Sequence, residues 1–172
     1  MKKLAVCLFL GALAGRASAE PKDRSYNFHG YAQFGVGGCS VGVDHWISIG
    51  CGAALSLTGG GEGFVYKGLA IGGEGGYGWI SGSFNEGLGM FSANPAYHFK
   101  GQGRSKALVP FVTGGYSMLF RGGHVDGFNA GGGTTWWPAN HFGLRFEGRF
   151  HHFIAGPVGA NVYMFRIGPS FR

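Results

Sequence analysis

Three charges occupy every second position of one short stretch: Arg145, Glu147 and Arg149. Arg166 lies in the next alternating run, and Glu74 is a lone acid within a glycine-rich segment. Groups two residues apart share one face of a β-strand. Such a set can do one of two things. Packed in a closed space, opposite charges form a structural network, because a buried charge left unpaired is costly. Lining an open passage, they form a constriction that selects ions. The network is the expected role for Glu74, Arg145, Glu147, Arg149 and Arg166.

The seven histidines raise the question of a metal. His151 and His152 are adjacent, so on a strand they point to opposite faces. His29, His98 and His151 can share an interior face, yet their spacing matches no known metal motif. No metal site and no cofactor are expected. Hydrolytic chemistry would need a nucleophile, a base and an acid. Ser117, His141 and Glu147 supply the residue types, but no local motif surrounds them, so no catalytic residue is assigned.

Cys39 and Cys51 lie about the predicted turn near residue 45. A bridge between them needs both side chains on one face. Simple alternation puts Cys39 inward and Cys51 outward, and a bulge among Gly35, Gly37 and Gly38 would reconcile them. The bridge stays an open possibility.

The elements that must position these residues are strands. After the N-terminal segment no run of 18 apolar residues occurs. Period-two alternation recurs instead, broken by Gly, Pro, Asn and Asp. Eight strands are predicted, at about 25–38, 45–57, 63–79, 87–99, 108–121, 125–137, 141–152 and 160–171. The connections fall at 41–44, 58–62, 81–86, 100–106, 122–124, 138–140 and 153–159. Pro95 implies an irregular spot or bulge in the fourth strand, and the fifth changes phase at Gly114-Gly115. Trp79, Trp136, Trp137, Tyr77 and Tyr163 read as interfacial aromatics near strand ends.

The first nineteen residues read differently. Lys2 and Lys3 precede an apolar run from Leu4 to Gly15, and Ala17-Ser18-Ala19 is a small-residue cleavage pattern. This is the form of a cleaved secretory signal, leaving a single domain over residues 20–172. Cleavage reduces Lys and Arg from 14 to 11 against 8 acidic residues, a net charge of +3. That is too little to indicate nucleic-acid binding. The 37 glycines without a three-residue period exclude collagen. Aromatics at 16% exclude a disordered chain.

Four segments carry a family resemblance: Gly72-Gly73-Glu74-Gly75-Gly76-Tyr77-Gly78; Val109-Pro110-Phe111-Val112-Thr113-Gly114-Gly115-Tyr116; Phe128 to Gly133 followed by Gly143 to Arg149; and the ending Phe165 to Arg172. Together they resemble the outer-membrane β-barrel domain family of OmpA-like and OmpX-like small barrels. The resemblance spans essentially all of residues 20–172. It implies an all-β, eight-stranded, antiparallel up-and-down transmembrane barrel in the outer membrane. It also implies a C-terminal insertion signal on Tyr163, Phe165, Ile167 and Phe171, from which the chain departs in ending on Arg172. Partners would be outer-membrane lipids and the barrel-insertion machinery, with the protein a monomer. A structural envelope role without catalysis is the expected function. The alternatives are a lipid A-modifying enzyme and a soluble periplasmic barrel holding a small apolar ligand. Adhesion through surface loops is disfavoured, because every connection is short.

Overall fold

A computed structural model of the chain describes residues 27–43, 47–81, 84–99 and 107–172. The predicted signal segment and its cleavage site, with Ala17 and Ala19, lie outside them. Eight strands follow one another: β1 (Phe28–Val43), β2 (Ile47–Tyr66), β3 (Leu69–Ile80), β4 (Phe84–His98), β5 (Leu108–Phe120), β6 (His124–Trp136), β7 (Phe142–Ala155) and β8 (Val158–Phe171). Each pairs antiparallel with the next, and β8 returns to β1, so the sheet closes into a barrel. Phe34 shows the closure at one residue, facing Leu57 on β2 and Ile167 on β8.

Alternation sets which face each residue takes. On β7, Arg145, Glu147, Arg149 and His151 point inward and are buried, while Phe142 and Ile154 are exposed. The outer surface carries Phe34, Leu57, Ile71, Phe91, Val112, Phe128 and Phe165, all exposed. An apolar surface this extensive is far larger than a monomer keeps in water. As a belt around a closed barrel it matches lipid contact, and closure leaves no unpaired strand edge.

Several local expectations are corrected. The glycines at 59–61 do not form a turn. They sit inside β2, which runs on to Tyr66, and the chain reverses at Lys67-Gly68. Both of these residues have positive φ, 30° and 94°, as a two-residue type I′ hairpin requires. The predicted connection at 153–159 shrinks to Gly156-Pro157, with Gly156 at φ 61°. At Pro95 the irregular spot is an interrupted pairing with β5 and not a bulge. Ile71 faces it in unbroken register, because proline's missing N–H interrupts a bond without inserting a residue. The phase change at Gly114-Gly115 is also absent, since β5 keeps one register with β6 throughout. What suggested it was Phe111, an aromatic that points into the lumen and is buried there.

Glycine makes the narrow interior possible. A Cβ on inward Gly133 would lie 1.9 Å from the Phe146 carbonyl oxygen, while one on outward Gly148 meets nothing closer than 4.0 Å. Gly133→Ala is therefore expected to cost about 1–3 kcal/mol in unfolding titrations, and Gly148→Ala close to nothing. Equal effects at the two positions would show that the lumen is not crowded.

Candidate functional site: a plugged lumen beneath an apolar mouth

The lumen has two unlike halves. The half nearer the chain termini is filled by polar and charged side chains. Glu147 is its centre. It accepts from Arg145 Nε at 3.0 Å, pairs with Arg149, and lies 3.8 Å from Arg166 Nη1. Arg166 reaches across the barrel to Glu74, with its Nη1 3.0 Å from Oε1, and also donates to Gln33 and Thr58. Arg145 pairs with Glu62 at 2.9 Å and stacks between the rings of Phe111 (3.8 Å) and Tyr31 (4.4 Å). Arg149 donates to Asn129 at 2.7 Å. The structure thus brings Glu74, Arg145, Glu147, Arg149 and Arg166 into one cluster, and adds Glu62 to it.

Glu62 was out of sight in the sequence because the glycine run before it imitated a turn. Extended through β2, that run places Glu62 opposite His29 in register and on the inner face. Three guanidinium groups and three carboxylates are then buried together. Opposite charges in contact, with hydrogen bonds to their remaining atoms, are what makes such burial tolerable. The cluster occupies the section of the barrel that a passage would have to cross, and small barrels of this size are normally filled in this way.

The other half of the lumen is mainly apolar. Val41, Ile80, Leu88, Leu119, Phe153 and Val162, with Arg121 and His124 at the rim, line a cavity of about 580 Å³ toward the end opposite the start of β1 and the end of β8. Below it a smaller space of about 50 Å³ ends on Met90, Met164, His151 and Arg166. Barrel interiors are usually polar, so an apolar mouth is unusual. The sequence pattern puts Val41 and Phe153 in connections and Ile80 beyond the third strand, so the mouth is not visible there.

Cys39 and Cys51 form a disulfide at the edge of this mouth, with Cα atoms 5.3 Å apart. The bulge that permits it is not among Gly35, Gly37 and Gly38. It lies on β2, where Cys39 faces Gly52 and Ser40 faces Gly50, so that Cys51 is the extra residue. Gly52, at φ 119°, supplies the conformation.

The hydrolytic set does not assemble. His141 is exposed near the C-terminus, with its Nδ1 2.9 Å from the Arg172 carbonyl oxygen. Ser117 instead contacts His151 Nδ1 at 3.1 Å, Ser92 Oγ at 2.8 Å and Asn129 Nδ2 at 2.9 Å. Its hydroxyl is fully buried and already engaged, and Glu147 is occupied by arginines. Among the interfacial aromatics, Tyr77, Trp79, Trp136 and Tyr163 face outward. Trp137 does not. It follows outward Trp136, so it turns into the lumen, packing beside His29 under the Arg172 guanidinium. On β8, Tyr163, Phe165, Ile167 and Phe171 share the exposed face.

No protein-family model matches the chain, and no curated protein sequence matches it. Solved structures do. Neisserial surface protein A (NspA) superposes with a TM-score of 0.57 at 12% identity, covering 83% of this chain and 96% of that one. The N-terminal β-barrel domain of Pseudomonas aeruginosa OprF gives 0.53 at 13% identity, over 83% and 98%. The fold is that of a small outer-membrane β-barrel. The outer membrane protein OprG from Pseudomonas aeruginosa adds a third match, at 0.51 and 12% identity over 84% and 94%. At such identities the likeness of an outer-membrane barrel extends to the fold, and the site must be read from its own residues.

Proposed function

We propose that this chain is an integral outer-membrane protein, a monomer surrounded by lipid, with a structural envelope role and no catalytic activity. The observation that carries the reading is the buried ion network centred on Glu147, which fills the lumen across its section. A barrel closed in this way offers lipid contact outside and no continuous polar path inside. Its alternating last strand is a suitable substrate for the insertion machinery. The exposed apolar belt supports the membrane part of the proposal, because lipid is the medium in which that belt is not a liability.

The test is membrane fractionation with gel mobility of boiled and unboiled samples, followed by conductance in planar bilayers. Recovery in the outer membrane, a heat-dependent mobility shift and no steady conductance are the expected results. Soluble recovery without a shift would remove the membrane reading, and a steady conductance would replace the structural role with a pore.

The apolar mouth favours a second reading, in which the barrel holds a small apolar molecule in its outer half. A cavity of about 580 Å³ falls within the range of ordinary ligand sites. A solvatochromic apolar dye should then bind, and Leu119→Asp should abolish its signal. Equal signal from both proteins would leave only the structural role.

A further inference from the structure

At the terminus end of the lumen, His29 on β1, Glu62 on β2 and His98 on β4 bring one ligand atom each within 4.8 Å of one another. Glu62 Oε2 lies 2.6 Å from His98 Nε2 and 3.8 Å from His29 Nδ1. All three residues are buried. We propose that these three side chains form a binding site for a divalent transition metal of the zinc class.

The ligand set has the right chemistry. Two imidazoles and one carboxylate are a recurring three-ligand set for Zn²⁺, with a fourth position left for water. His29 supplies an independent sign that something is missing. It is 1% exposed, and neither of its ring nitrogens has a hydrogen-bond partner among the described residues. Buried polar atoms are nearly always satisfied, so a pair of bare nitrogens on one ring calls for an explanation. A metal at Nδ1 accounts for the nitrogen that faces Glu62.

The surroundings are those of a held site. Arg145 engages the other oxygen of Glu62, Oε1, at 2.9 Å and so leaves Oε2 pointing at the histidines. Partners of this kind orient metal ligands and are as much part of a site as the ligands themselves. Phe111 stacks on His98 at 5.5 Å between ring centroids, and Trp137 packs on His29 at 5.3 Å, fixing both rings from the sides. The contact between His98 and Glu62 must open for the metal, and His98 must present Nε2 without its proton, as in the tautomer that carries it on Nδ1. The register that assembles the site is specific. His29 faces Glu62 across one hairpin, and His98 enters from the end of β4, where its backbone N–H donates to Gly68.

The test uses the full barrel refolded in detergent, with folding of every variant checked by heat-dependent mobility. Co²⁺ is the probe, read by its visible absorption, with Zn²⁺ as competitor. One equivalent of Co²⁺ should bind in low coordination and be displaced by Zn²⁺, and Zn²⁺ should raise the unfolding temperature of the unsubstituted protein. His29→Gln and His98→Gln should each weaken binding by more than about tenfold. His124→Gln, at the exposed rim beside Asp126, should bind as the parent does. If one ligand variant does not fold, the other and the temperature shift decide. Absence of Co²⁺ binding and of any Zn²⁺ stabilisation in the parent would overturn the site, as would undiminished binding by a folded ligand variant.

Discussion

Glu147→Gln is expected to lower the unfolding free energy by about 3–5 kcal/mol, the usual loss when one member of a buried ion cluster is removed. The cause is not the absence of one favourable contact. Arg145, Arg149 and Arg166 all turn toward this carboxylate and are essentially excluded from solvent. With the charge gone, Glu62 and Glu74 must balance three guanidinium groups, and Arg149 is left with neutral amide partners such as Asn129. Urea titration in detergent micelles measures the loss, with gel mobility reporting whether the barrel still closes. A change below about 1 kcal/mol, the scale of an exposed ion pair, would mean that water reaches the cluster and that the lumen is not plugged.

Leu57→Arg is the second large effect, and it discriminates between media. Leu57 lies in the middle of β2 and is 57% exposed on the outer face. In water an arginine there is harmless, and in the centre of a bilayer it costs about 2–4 kcal/mol. Tyr66→Arg, at the end of the same strand beside Lys67, should cost only about 0–1 kcal/mol, because an interfacial charge reaches water. Refolding into vesicles of defined lipid, with unfolding followed by tryptophan emission, gives both values. A depth-dependent difference establishes the outer face as lipid-facing. Two equal and negligible values would place that face in water and leave the belt without a reason.

How much of this was legible beforehand depends on how cleanly a strand alternates. On β7 every inward residue from Arg145 to His151 is polar and most outward ones are apolar, so the charged cluster could be read directly. On β5 the inward position 111 carries phenylalanine, because Arg145 needs an aromatic face to lie against. The rule that polar means inward failed there, and it produced a bulge that does not exist. Glycine was the other obstacle. The residues at 59–61 lie in a strand because Tyr31 and Phe28 fill the space their missing side chains leave, with Tyr31 Oη 2.9 Å from where a Gly60 Cβ would stand. A sequence shows the glycines but not the rings over them. For that reason the sequence pattern puts Glu62 in a loop and hides the grouping of His29 and His98 around it. Trp137 failed for a simpler reason, since two adjacent tryptophans cannot both face lipid.

The apolar mouth has an electrical consequence. A water molecule held inside a protein needs two to four polar partners, and the walls above Met90 and Met164 offer few. Among the described residues, a hydrogen-bonded file of water, the route along which protons hop, therefore finds few anchors in that half of the barrel below the rim residues Arg121 and His124. In the other half the fixed charges cancel and are locked to one another. Under the proposed structural role, a voltage across such a cylinder would meet two different barriers placed in series, and the bilayer conductance measurement tests both at once.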